Sequence, residues 1–326
     1  MNKRFLRSIV LPLEDLPASA ARAPFDLPIN PLSHLLLRLQ VTNVAPAAIA
    51  TYSAIDDLIT QVTSITIRHN GENIVQGSLR DLMVLNMLAF RAFPGFSMMA
   101  NVDDSVRDVM FPLCLGRRMY DGASCFPATK RGNLQFLITV GAEGAAYDDL
   151  NIEVEAVELI DATPTEYMKY TSRLQDSVVG QFDVRLPIGN PLLGILLFDT
   201  GLFASSDNVT SWGLVKLMKD NVEQLYAQTD IRTLACELPT IMGGLSLWPG
   251  HEHLTDGATA ALNRSDDAEV KASLGYRGYG YMDFDPTRTG EYELITLGAG
   301  ELLIRGVGDE ATAIRSLPLE RVSIKA

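Results

Sequence analysis

The sequence predicts an all-β fold of two tandem eight-stranded jelly rolls, a double jelly roll, with short helices and long loops. Three observations carry this. Short alternating apolar stretches recur along the chain, separated by Gly, Pro, Asn and Asp turns, with only one or two helical patterns in each half. The strand–helix–strand alternation that a parallel α/β sheet needs is missing. The chain is also written twice: Leu27 to Gln40 reads LPINPLSHLLLRLQ, and Leu186 to Asp199 reads LPIGNPLLGILLFD. The two Asn-Pro-Leu triplets begin at Asn30 and Asn190, about half of a 326-residue chain apart.

Further blocks match in the same order. Ile65 to Leu82 and Val215 to Leu234 each read as an alternating run, a polar turn, a second run and then Leu-Arg-Asp-Leu or Ile-Arg-Thr-Leu. Phe126 to Ala142 is matched with Phe284 to Gly300 through Leu-Ile-Thr and Gly-Ala, and Leu150 to Ile160 with Ile314 to Ile324. A half-chain with two sheets and long end loops suits a jelly roll.

From the N-terminus, residues 1–24 read as an arm. Lys3, Arg4 and Arg7 form a local positive cluster, while Pro12, Pro17 and Pro24 discourage regular structure. Such an arm is expected to dock on a neighbouring subunit or touch an anionic surface such as lipid headgroups. The first jelly roll spans 25–160. Leu35, Leu37 and Leu39 mark a strand with one deeply buried face, and His34 at its start reads as a packed histidine. Asn70-Gly71 between alternating runs predicts a type I′ hairpin. Leu79 to Phe93 lacks Gly and Pro and predicts a short helix ending before Pro94-Gly95. Strands are predicted at Leu134 to Val140 and Leu150 to Ile160.

Residues 161–180 read as a linker with a short helix over Thr165 to Gln175, and the domain boundary is placed there. The second jelly roll spans 181–326, with a long loop insertion at about 240–283. In that insertion Trp248, Tyr276, Arg277, Tyr279 and Tyr281 have the composition of a contact surface.

The chain is 47% hydrophobic and carries a formal net charge of −13, which suits a soluble globular body and opposes general nucleic-acid binding by it. Cys114, Cys125 and Cys236 form no CxxC pair and are expected to be free thiols. The apolar run Ser8 to Leu13 is too short for a signal peptide, and 18 apolar residues never run together. Synthesis in the cytoplasm, without a membrane span, is the expectation.

The doubled architecture and the strand–Asn-Gly–strand–helix block, over residues 25 to 326, resemble the double jelly-roll major capsid proteins of tailless icosahedral viruses. Adenovirus hexon and the coats of membrane-containing bacteriophages belong to that lineage. In size the chain is similar to the bacteriophage coats, including those of small flavobacterial lytic phages. The resemblance implies a structural protein of the virion, made in the host cytoplasm, that assembles as pseudo-hexagonal homotrimers tiling a shell. Its implied partners are its own copies, minor capsid or vertex proteins and an internal lipid membrane, with Lys3, Arg4 and Arg7 on the inner face.

No nucleophile elbow, phosphate-binding loop or dinucleotide fingerprint is present. His251 and His253 have the HxH spacing of a cupin metal site, and Asp256 is the nearest carboxylate, but no histidine follows His253. A bicupin-type metal enzyme and a two-domain jelly-roll binding or spike protein are therefore the alternatives. The leading expectation is a protein with no catalytic residues, cofactor or metal.

Overall fold

The computed structural model describes residues 4–43, 59–96, 106–142, 147–199, 210–242 and 278–324. The chain divides into two units, with the division at Met168 and Lys169. In the first unit one sheet runs, in spatial order, β1 (Arg4–Asp15), β9 (Tyr147–Ile160), β3 (Leu32–Asn43), β7 (Val106–Cys114) and β6 (Gly95–Phe96). The other holds β5 (Glu72–Gly77), β4 (Val62–His69), β8 (Leu134–Val140) and β2 (Phe25–Asp26), and helix α1 (Leu79–Phe90) follows β5. Strand β10 (Glu166–Thr171) lies at the division. In the second unit, β17 (Tyr279–Asp283), β13 (Leu192–Phe198) and β19 (Ala313–Ser323) pair in that order, with β11 (Arg173–Asp176) on β19. Its other sheet runs β12 (Gly180–Arg185), β18 (Leu302–Gly308), β14 (Leu214–Lys219) and β15 (Val222–Glu223), with β16 (Thr229–Asp230) also on β14. Helix α2 (Ile231–Met242) follows β16. Each unit thus lays its strands in two antiparallel sheets, five and four in the first unit and four and five in the second, β10 aside.

The repeat is exact in register at its anchors. Leu32 sits opposite Glu158 and Leu192 opposite Glu320, each followed by a bulge before position 34 or 194. Leu32 exchanges two backbone hydrogen bonds with Phe126, both 2.9 Å, and Leu192 exchanges two with Leu294, both 3.0 Å. The β4–β5 turn has positive φ at Asn70 and Gly71, and the β14–β15 turn has it at Asp220 and Asn221. Both hairpins therefore carry the type I′ pattern that matches strand twist. The helices start at Leu79 and Ile231, the first residues of the matched tetrapeptides. Ser78 caps α1 by accepting from the Asp81 N–H at 3.1 Å, and Asp230 accepts from the Arg232 N–H at 2.8 Å.

Several expectations are corrected. Residues 4–15 are not an irregular arm but strand β1, paired antiparallel along β9. Pro12 is tolerated because it lies in the register shift between Leu11 and Glu14, on the outermost strand of the sheet, where no ladder donor is lost. The helix expected over Thr165 to Gln175 is absent: these residues form β10 and β11. β11 meets β19 as the end of β1 meets β9. Leu16 N–H donates to Leu150 O at 2.7 Å, and Ser177 N–H to Thr312 O at 2.9 Å. The opening strand of each jelly roll thus lies in the segments taken as arm and linker.

The third matched block is also corrected. Leu294-Ile295-Thr296 lies in a loop, and the counterpart of β8 is β18, since His69 faces Leu134 and Lys219 faces Leu302. The last block is two residues out of step, because Ala156 pairs with Leu35 where Pro318 pairs with Ile195.

The second core lies between its two sheets. Val184, Ile195, Leu197, Val215, Leu217, Ile304 and Ile314 meet Trp212 and the α2 residues Ile231 and Leu234. Burying such side chains is worth about 1.5–3 kcal/mol each.

Candidate interaction surfaces

Of the Lys3, Arg4 and Arg7 cluster, the two described cations sit on β1 and face carboxylates of their own unit. Arg7 bonds Glu155, which lies two rows along β9, and Arg4 reaches Asp161 at 3.4 Å. Glu155 raises the Arg7 guanidinium above its ordinary range. Lys3 lies outside the described residues, as do Trp248, His251, His253, Asp256, Tyr276 and Arg277. Tyr279 and Tyr281 are a correction. They are fully buried in β17, which pairs with β13 and carries α2 packed against it. Tyr279 packs on Phe198 with ring centroids 4.9 Å apart, and burial pushes the Tyr281 hydroxyl well above its usual range. The Tyr-Gly-Tyr-Met alternation is the period of a strand, and that signal identifies them as core.

No group of three or more His, Cys, Asp or Glu side chains able to hold a metal occurs among the described residues. Burial pushes the Cys114 and Cys125 thiols up to about 12, which leaves them protonated and unreactive. Burial, with Arg7 nearby, pulls buried His34 down to about 4. Among the described residues no helix is long and apolar enough to cross a membrane.

The described surface offers contact features instead. Edge strand β1 exposes Phe5, Leu6, Ile9 and Leu13, and Phe5 stands edge-on to exposed Tyr120 at 5.3 Å. On β12 and β18, Arg305 grips Asp183 through two bonds of 2.8 and 2.9 Å, which holds the Asp183 carboxyl below its usual range.

The Leu-Pro-Ile turns repeat a second arrangement. Leu27 and Leu186 are buried, whereas Ile29 and Ile188 stay 51% and 43% exposed. Each turn is tied to the loop that leads into the next long strand. Thr129 N–H donates to Ile29 O at 2.8 Å, and Gly189 N–H donates to Thr296 Oγ1 at 2.9 Å. The two loops are residues 115–133, between β7 and β8, and residues 284–301, between β17 and β18. They occupy equivalent places in their units and differ in chemistry. The first exposes Arg118, Met119, Tyr120, Lys130 and Arg131. The second exposes Glu291, Tyr292, Ile295 and Leu297, the last of them 74% exposed.

No known family's sequence profile matches the chain, and no curated protein matches its sequence. Solved structures do match, over nearly the whole length of both partners. The major capsid protein P2 of bacteriophage PM2 superposes with a TM-score of 0.60 at 10% identity, covering 99% of this chain and 98% of that one. The major capsid protein of Sulfolobus turreted icosahedral virus gives 0.65 at 13%, covering 98% and 97%. The capsid of the virus PBCV-1 gives 0.59 at 8%, covering 98% and 94%. At these identities the likeness is one of fold: the chain has the all-β double jelly roll of those proteins.

Proposed function

We propose that this chain is a viral major capsid protein that assembles as pseudo-hexagonal homotrimers tiling an icosahedral shell. The observation that carries the reading is the end-to-end match: both jelly rolls, in order, account for nearly all of this chain and of each capsid protein it superposes on. A stray jelly-roll likeness would cover one unit. The mechanism is assembly, and no bond-making chemistry is assigned. Two similar lobes in one chain give six lobes in a ring of three, and a six-lobed ring tiles a surface. Within the ring, closed symmetry defines the building block, with contacts of about 1,200 Å² or more. Between rings, smaller and more polar contacts allow errors to be corrected before the shell closes.

The same reading gives the chain further neighbours: minor capsid or vertex proteins and an internal lipid bilayer. It places the protein in the virion after synthesis in the host cytoplasm. Lys3, Arg4 and Arg7 are the first residues to test against lipid, and Arg4 and Arg7 would meet headgroups while already facing Asp161 and Glu155. Unchanged flotation of a Lys3→Ala/Arg4→Ala/Arg7→Ala variant with anionic vesicles would remove them from that role.

The native mass of the purified chain tests the central claim. Light scattering should give about 107 kDa for three 35.6-kDa chains, or shell-sized particles. Negative-stain images of the same peak should show hexagonal outlines. A monomer at every concentration, or a species carrying stoichiometric metal, would overturn it.

A further inference from the structure

We propose that copies of this chain join head to tail, the loop 115–133 of one copy seating against the loop 284–301 of the next. The inference rests on the capsid reading above and names the surfaces that close its ring.

The argument begins with the repeat. The two loops connect equivalent strands, β7 to β8 and β17 to β18, and they have nearly the same length. Their charges are opposite. Residues 115–133 hold Arg117, Arg118, Lys130 and Arg131 against Asp121, a formal net of +3. Residues 284–301 hold Asp285, Glu291, Glu293 and Glu301 against Arg288, a formal net of −3; Asp285 is buried and Glu293 is bonded to Arg321 at 2.6 Å, so the acids that reach the surface are exposed Glu291 and half-exposed Glu301.

Both loops are held in shape. In the second unit Asp220 Oδ1 accepts from the Gly300 and Glu301 N–H groups at 2.8 and 2.9 Å, and Lys219 Nζ donates to Ile295 O at 2.8 Å. In the first unit Tyr120 N–H donates to Ser33 Oγ at 2.8 Å, and Asn70 N–H to Asn133 O at 2.9 Å. Little ordering is left to be done on contact, so more of the interaction appears as affinity. Each loop also sets exposed apolar side chains beside its charges: Met119 and Tyr120 in one, Ile295 and Leu297 in the other. Apolar contact area ringed by complementary charge is the make-up of a specific interface.

The signs also select the geometry. An isologous contact through either loop sets like charges together, Arg118, Lys130 and Arg131 against their own copies or Glu291 and Glu301 against theirs, which costs affinity. The heterologous contact instead sets the exposed Arg118, Lys130 and Arg131 of one copy against Glu291 and Glu301 of the next, and heterologous contacts build rings when the rotation closes. Each copy carries one loop of each sign and so passes the contact on. A partner of other chemistry fits less well: an anionic bilayer would attract the first loop and repel the second.

The test is charge reversal in the full chain, read by light scattering over a range of protein concentration and salt. Lys130→Glu/Arg131→Glu and, separately, Glu291→Lys/Glu301→Lys are each expected to raise the concentration at half-dissociation by roughly tenfold or more. The four-fold swap is expected to recover most of that loss. All four side chains are exposed or half-exposed, and Lys130→Gln/Arg131→Gln serves as a milder replacement if a reversed variant misfolds. Wild-type oligomers with unaffected double variants, or a four-fold swap no better than the doubles, would overturn this pairing and leave the capsid reading standing. A wild-type chain that stays monomeric throughout would overturn both.

Discussion

Asn30 donates its side-chain amide to Glu158 Oε2 at 2.7 Å, and the second unit repeats the bond between Asn190 and Glu320 at 2.8 Å. The carboxylates lie on β9 and β19, where Glu158 and Glu320 are about 95% buried. In both units the following proline carbonyl also accepts a strand N–H, from Leu159 to Pro31 at 2.7 Å and from Arg321 to Pro191 at 2.9 Å. The Asn-Pro-Leu triplet is therefore a clamp that fixes the turn presenting Ile29 or Ile188.

Removing the amide leaves a buried carboxylate short of a donor. Asn30→Ala and Asn190→Ala should each cost about 1–3 kcal/mol. Urea midpoints of the two single variants should fall by similar amounts, because the geometry is the same in both units. A loss confined to one variant would mean that the second pair is solvated and idle.

The repeated Asn-Pro-Leu triplet was legible in the sequence, but its carboxylate partners were not, because Glu158 and Glu320 lie 128 and 130 residues away and meet it only in the folded sheet. The hairpin turns and the helix that begins at Leu79 were legible as well, through Asn, Asp and Gly turn residues and a stretch free of Gly and Pro; α2 was not, because its Ile-Arg-Thr-Leu is matched in the repeat without a helix being assigned to it. The opening strands were not legible. β1 carries Pro12, which argues against a strand unless the strand is known to be an edge and the proline to sit in a bulge, and both are tertiary facts. The third repeat block was misassigned because Leu-Ile-Thr occurs at 137–139 and again at 294–296, and tripeptide likeness carries no register. The two-residue slip in the last block went unseen because a shift of two leaves every side chain on its own face. At the candidate contact loop, tyrosine content outweighed the period of two that marks Tyr279 and Tyr281 as buried.

The thiols give a direct check of burial. Cys114 and Cys125 are buried, and Cys236 on α2 is exposed. A thiol reagent added to the native protein at pH 8 should label Cys236 within minutes and spare the other two until urea is added. Rapid native labelling of Cys114 would contradict the packing of β7 against α1.

His34 should make the first unit acid-sensitive. Its ring lies between Ser33 Oγ at 3.0 Å and Tyr120 with centroids 5.1 Å apart, and Arg7 is the charge that acts on it. Above pH 6.5 the imidazole is neutral in folded and unfolded chains, and its contribution is fully present. Between 6.5 and about 4 the unfolded chain takes up the proton and the folded chain does not, so stability falls as pH falls. The loss should reach roughly 3 kcal/mol near pH 4 and level off below it. His34→Gln should lose less between pH 7 and pH 4.5 than the wild type does. An NMR titration of His34 with a midpoint near 6.5 would end the argument.

The two units hold the end of an equivalent strand in different ways, and this separates them experimentally. β7 ends at Cys114, whose N–H donates to Asn86 Oδ1 at 2.9 Å, while Asn86 Nδ2 donates to Leu82 O at 2.7 Å. β17 ends at Asp283, whose N–H donates to the Tyr226 hydroxyl at 3.0 Å. Asn86 is fully buried on α1, so Asn86→Ala strands a backbone donor away from water and should cost about 1–3 kcal/mol. Asn86→Leu should do no better, because it fills the space without supplying the acceptor. Tyr226 lies at the margin of its core, where water can replace the lost hydroxyl, so Tyr226→Phe should cost only about 0.5–1.5 kcal/mol. Hydrogen exchange reads the two sites apart: Asn86→Ala should expose the Cys114 amide, and Tyr226→Phe the Asp283 amide, each leaving the other protected. Exposure of both amides in either variant would mean that the two jelly rolls open as one cooperative body.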